Sequence, residues 1–130
     1  MKREAELKGA FSRVLRDSCP TLFALQLSTA GGPDRIVIGN NHVTFWEMKH
    51  ATPDFESPGL QELTCMRISD HAYCRYLIWQ ENSRGEDWRT LIVNPYDVRR
   101  RKGWRLAPEA YCEGFDHRWA VEQVRKAHGL

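Results

Sequence analysis

Glu47 and Lys49 sit two residues apart in Val43-Thr44-Phe45-Trp46-Glu47-Met48-Lys49, a run of valine, threonine and aromatics suited to a β-strand. Side chains alternate along a strand, so both emerge on one face. Asp34 follows the turn-forming Gly31-Gly32-Pro33 and opens the preceding strand, from which its carboxylate can approach Glu47 across the ladder. Two carboxylates and an ammonium then share one mouth of a sheet. Hydrolysing a phosphodiester calls for charge neutralisation at the phosphate, an activated water and help for the leaving oxygen, all of which a hard divalent cation supplies. Magnesium usually takes one or two carboxylates and keeps several waters, which matches Asp34 and Glu47; manganese is the alternative ion. Lys49 is expected to stabilise charge on the phosphate or to orient the attacking water. An isolated ExK pair is usually a solvated sheet face, and it is the bend before Asp34, the hairpin spacing and Glu4 that add weight here.

The elements that must position these residues follow from the pattern. Leu7, Phe11, Val14 and Leu15 form one apolar stripe, predicting an amphipathic helix from Lys2 to Asp17, ended by Ser18-Cys19-Pro20. On a wheel of about 100° per residue Glu4 lies near that stripe and Glu6 nearly opposite, so Glu4 points inward. Strands are expected at Thr21 to Ser28, Asp34 to Ile38 and His42 to Lys49, the last two joined by a tight turn at Gly39-Asn40-Asn41. Ser57-Pro58 starts a second helix reaching about His71, with Leu60, Leu63, Thr64, Arg67 and Ile68 along its inner side. Strands at Tyr73 to Gln80 and Arg89 to Asn94 and a helix from Phe115 or Asp116 to Gly129 complete the order. The fold class is α/β, a central mixed sheet flanked by helices in the order αβββαβ. Trp46 and Trp79 read as packing residues, and His50 as an exposed loop histidine.

Bulk properties set limits on function. At 130 residues and 42% hydrophobic content the chain suits one domain, 1–130, in which 95–130 is a divergent C-terminal extension ending in a helix. No apolar run nears the roughly 20 residues of a membrane span, and MKREAELKGAF is charged where a signal peptide is apolar, so a cytoplasmic location is expected. Cys19, Cys65, Cys74 and Cys112 have no metal-ligand spacing and suit buried, reduced thiols.

The stretch from Gly31 to Leu63, GGPDRIVIGNNHVTFWEMKHATPDFESPGLQEL, resembles the PD-(D/E)xK nuclease superfamily, most closely its virus-type replication-repair nuclease (VRR-NUC) branch. The similarity spans roughly the first two thirds of the chain. Pro33-Asp34 and Glu47-Met48-Lys49 match the catalytic motif, and Gln61 matches a glutamine early in the following helix. The resemblance implies a restriction-endonuclease-like core, Asp34, Glu47, Lys49 and Gln61 as catalytic residues, and Glu4 as the first-helix acid that joins Asp34 and Glu47 at the metal, Mg2+ or Mn2+. It further implies an endonuclease acting on DNA, with branched or repair-intermediate DNA as substrate class, assembly into a homodimer as in junction-cutting relatives, and a bacterial or bacteriophage setting. Two other readings stay open: a catalytically inactive nucleic-acid- or protein-binding module on the same fold, and an RNA- or nucleotide-directed hydrolase. His50 departs from the small or apolar residue common at its position.

The net charge of +2 does not itself call for a polyanionic partner, but its distribution includes RRRKGWR from Arg99 to Arg105. Arg99, Arg100, Arg101 and Lys102 can touch phosphates, and Trp104 can stack on a base, with a solvated turn as the competing reading. Neutralising Arg99 to Lys102 is expected to weaken DNA binding and to flatten its salt dependence by about 0.9 in log-log slope per lost phosphate contact on duplex DNA. An unchanged slope in a fluorescence-anisotropy titration returns the run to a solvated turn.

Overall fold

The computed structural model describes residues 2–28, 31–53, 55, 59–82, 87–99, 101 and 105–130. Its elements are α1 (Lys2–Ser18), β1 (Phe23–Gln26), β2 (Arg35–Gly39), β3 (His42–Ala51), α2 (Gly59–Ser69), β4 (Tyr73–Glu81), β5 (Trp88–Val93), α3 (Pro95–Val98), β6 (Ala110–Glu113) and α4 (His117–Ala127). The fold is mixed α/β, and the six strands lie in sequence order in one sheet. Only β3 and β4 run parallel; every other neighbouring pair is antiparallel. A parallel pair needs a long crossover, and α2 supplies it.

The β2–β3 hairpin closes through Asn40 and Asn41, at φ 50° and 61°. Two successive left-handed residues make the type I′ turn whose twist suits antiparallel strands, and asparagine tolerates that conformation better than most residues. Alternation along β3 then divides its side chains. Trp46 and Met48 join Phe11, Leu15, Trp79, Val121 and Val124 in a core beneath α1 and α4. Ala51, Tyr76, Ile78 and Leu91 form a second core with Cys65 of α2 and Val98 of α3 on the opposite face.

Helix α2 differs from its expected orientation. Glu62 and Cys65 are buried, whereas Leu60 and Leu63 are exposed and Arg67 points to solvent. The apolar residues of this helix do not gather on one side, so the pattern could not fix its rotation; packing on β4 does. Ser57 and Pro58, the expected start signal, lie outside the described residues. From Pro95 onward the chain adds α3, the edge strand β6 and α4, whose N-cap Asp116 accepts the Trp119 N–H at 2.9 Å.

A buried polar chain fixes the hairpin to the C-terminus. The Trp46 indole donates to Thr44 Oγ1 at 2.8 Å, and Thr44 lies 2.8 Å from Nε2 of the fully buried His128. His128 Nδ1 lies 2.8 Å from the Gly39 carbonyl, which only accepts, so Nδ1 carries the proton and Nε2 accepts from the Thr44 hydroxyl. Asn40 Nδ2 closes the loop by donating to the His128 carbonyl at 2.7 Å. Replacing His128 by leucine strands two buried polar groups and is expected to cost about 2 kcal/mol. The check is the urea midpoint at constant m-value; an unmoved midpoint would show that the chain of bonds contributes nothing net.

Candidate functional site

Strand β2 begins at Arg35, opposite Trp46, but β3 continues to Ala51 with β4 on its other side. Past Trp46, therefore, the β3 edge on the β2 side has no strand to pair with among the described residues. Two carboxylates take the strand's place. The Met48 N–H donates to Asp34 Oδ2 at 2.9 Å, and the His50 N–H donates to Glu4 Oε1 at 2.9 Å. Each is a charge-assisted bond, stronger than the neutral ladder bond it replaces. Between these acids stands Lys8, its Nζ 3.1 Å from Asp34 Oδ2 and 3.4 Å from Glu4 Oε2.

Glu47, next along β3, is fully buried, and among the described residues no donor reaches either carboxylate oxygen. Burial pushes its pKa up, the adjacent Asp34 carboxylate pushes further, and Lys49 opposes both, leaving it at about 10. Asp34 moves the other way. Burial raises its pKa, but the hydrogen bond with Glu47, the Met48 N–H and Lys8 together outweigh that and hold it below the ordinary carboxylate range. The two effects fit one picture: a protonated Glu47 donates to an ionised Asp34, since two bare carboxylates could not bond each other.

The expected site residues fall into distinct groups. Asp34 and Glu47 adjoin, and Glu4 is tied to Asp34 through Lys8. Lys49 is half-buried on the Glu47 side of β3, and its charge acts on Glu47. Gln61 lies early in α2 with its Oε1 buried and unpartnered among the described residues. Arg99 and Arg101 are exposed at the end of α3; Arg100, Lys102 and Trp104 lie outside the described residues. His50 is not a loop residue: it belongs to β3, its side chain is only 9% exposed, and Nε2 lies 2.9 Å from Glu81 Oε1. The strand runs longer than its valine-rich section because β4 pairs with it as far as Ala51. Lys8 was not foreseen. The one signal for it is its i,i+4 spacing from Glu4, common on any solvated helix.

Among the described residues no three His, Cys, Asp or Glu side chains form a group able to hold a metal ion. The Asp34–Glu47 pair nonetheless suits a hard dication, which needs only one or two protein carboxylates, and the Glu47 oxygens, which receive no donor among the described residues, are hard ligands. No protein-family model and no curated protein matches this chain.

The raised pKa of Glu47 carries a sign for stability. A folded state that binds this proton more tightly than the unfolded chain gains stability in full below the ordinary value of 4.5, and loses it progressively as pH rises toward about 10. Glu47→Gln, which cannot ionise, is expected to flatten that decline. In chelator the variant's melting temperature should exceed the wild type's by about 4 °C or more at pH 8, with the gap closing toward pH 4.5. Parallel melting curves across that range would mean that Glu47 is not held protonated.

Proposed function

We propose that the chain is a metal-dependent nuclease that hydrolyses DNA phosphodiester bonds, with a restriction-endonuclease-like core and its active site at the open edge of β3. The observation that carries this reading is a buried carboxyl without a donor, Glu47, set against Asp34 and two residues from Lys49. A fold tolerates a buried acid that receives no donor, set against a second carboxylate, only at a cost, so such a pair is a candidate for a site where something else binds. The resemblance of Pro33-Asp34 and Glu47-Met48-Lys49 to the PD-(D/E)xK motif supports the same reading.

In this mechanism Asp34 and Glu47 would hold Mg2+ or Mn2+, with Glu4 as the further acid. When bound, such an ion neutralises phosphate charge and lowers the pKa of a water. To become a ligand Glu47 would have to give up its proton to water, and the Lys49 ammonium favours that loss. Lys49 also faces developing negative charge on the phosphate. Gln61, with a buried amide oxygen of its own, is suited to orient a water beside the carboxylates. The edge N–H groups of Met48 and His50 hold Asp34 and Glu4 in place, so the acids need not be ordered during the reaction.

The half of the sheet beyond the Glu47 face of β3 exposes Phe23, Leu25, Ile38 and Val43, apolar surface on which a homodimer can close. A catalytically inactive binding module is the second reading, and the retained Asp34, Glu47 and Lys49 weigh against it.

The test is a cleavage assay on supercoiled plasmid, single-stranded DNA, a four-way junction and RNA, with magnesium, manganese or chelator. Metal-dependent cleavage that falls at least a hundredfold in Asp34→Ala and Glu47→Gln is the expected outcome. Binding without cleavage under every condition favours the inactive module instead.

A further inference from the structure

An open groove of about 670 Å3 separates α1 from β1 and the start of β2. Small residues create it, Gly9 and Ser12 on the helix side and Ala24 on the strand side. Ala24 pairs with Val37, whose side chain joins the core beneath α1, so Ala24 points to that same face of the sheet and yet stays exposed. Below it, the buried Leu15 and Leu22 close the bottom of the groove.

Arg13, Arg16 and Arg35 stand around this apolar floor, and among the described residues the lining holds no acid. Their local bonds engage the guanidiniums only in part. Arg35 Nη1 donates to the Asp34 carbonyl at 3.1 Å. Arg16 Nε lies 3.2 Å from Asp17 Oδ1, but the two side chains are 72% and 71% exposed, and a solvated pair of that kind contributes little. The exposed Arg13 lays its guanidinium along Gly9. Lys8, Ser12 and Arg16 follow one another at one residue per turn, so the helix wall of the groove begins at the lysine that contacts Asp34. The groove therefore borders the candidate site at Asp34, on the α1 face of the sheet, and not at Glu47 or Lys49 on the opposite face.

Arginine walls, an apolar floor and no acid complement a chain that carries anions along its length with apolar rings between them. Guanidiniums grip phosphate through paired N–H donors in a planar fork. From Gly9 to Arg16 the helix rises about 10 Å, the rise of about three nucleotides of one strand. In a duplex the bases cover one another, so only phosphates could meet this groove and its floor would go unused.

We infer that the groove between α1 and β1 binds a single nucleic-acid strand, with Arg13, Arg16 and Arg35 on phosphates and Leu22 and Ala24 against sugar or base. The choice of nucleic acid among polyanions rests on the nuclease reading, whose substrate it narrows to DNA with a single-stranded part.

The experiment follows the anisotropy of a fluorescein-labelled DNA single strand, and of the duplex of the same sequence, with the full chain in chelator across a salt series. Replacing Arg13, Arg16 and Arg35 together by glutamine should lower the log-log salt slope for the single strand by about 2, at about 0.7 per lost phosphate contact, and weaken binding by about tenfold or more. Arg118→Gln with Lys126→Gln, which removes two exposed charges from α4, should leave that slope unchanged. Ser12→Leu keeps every charge and is the better helix former, so it should preserve the melting temperature while filling the groove and weakening the single strand several-fold. An unchanged slope in the arginine variant, an equal fall in the α4 variant, full affinity in Ser12→Leu or equal losses on the duplex would each overturn the groove, while metal-dependent cleavage by the wild type would keep the nuclease reading standing. A wild-type chain that binds neither DNA would overturn both.

Discussion

Strand β3 has ten residues and its antiparallel neighbour β2 has five. That difference in length leaves N–H groups along one edge of β3 with no backbone partner among the described residues, just where the strand is packed from both sides. An unpaired buried amide costs about as much as a lost hydrogen bond, so the edge must be satisfied by side chains or the strand must end sooner. Asp34 and Glu4 meet that demand from two directions, one from the turn before β2 and one from the first turn of α1. The same bonds that complete the sheet therefore gather the acids of the site. Scaffold and site cannot be separated here, because the carboxylates act as the missing strand.

Gathering acids creates an electrostatic problem, and the local charges show how it is met. Glu4 and Asp34 share the Lys8 ammonium, and Lys49 acts on Glu47. With Glu47 protonated, two carboxylates face two ammoniums and the cluster is close to neutral. Ionising Glu47 would add a charge with no donor to receive it, in a place from which water is excluded. Its pKa rises for that reason, not through any peculiarity of the residue itself.

How much of this was legible in the sequence depended on whether a local rule governed each feature. The Gly39-Asn40-Asn41 turn, the aromatic and β-branched run of β3, and the stripe of α1 follow from turn chemistry and periodicity, and the structure has them within a few residues of the expected bounds. The approach of Asp34 to Glu47 followed from hairpin register. Features set by non-local packing did not show. Helix α2 carries Leu60 and Leu63 outward and Glu62 inward, which no apolar pattern announces. Strand β6, Ala-Tyr-Cys-Glu, is too short and mixed to stand out, and exists because β5 offers it an edge. Lys8 looks like any helix-surface lysine until Asp34 is brought to it by the fold.

Those non-local features bear directly on the proposed chemistry. A carboxyl kept protonated by burial and a like-charged neighbour is a poor ligand at rest, and binding a dication must release its proton. The cost of that release is partly offset because the incoming charge also relieves the repulsion between Asp34 and Glu47. Lys8 works in the opposite sense, since an ammonium between Glu4 and Asp34 competes for the oxygens a dication would take. On the proposed reading ion binding would be weakest in the free protein and would strengthen with a polyanionic strand present to draw Lys8 away, a linkage that acts equally in both directions. A site built on these terms would hold its ion tightly only with substrate in place, and that property would arise from one helix-borne lysine and one strand edge closed by side chains.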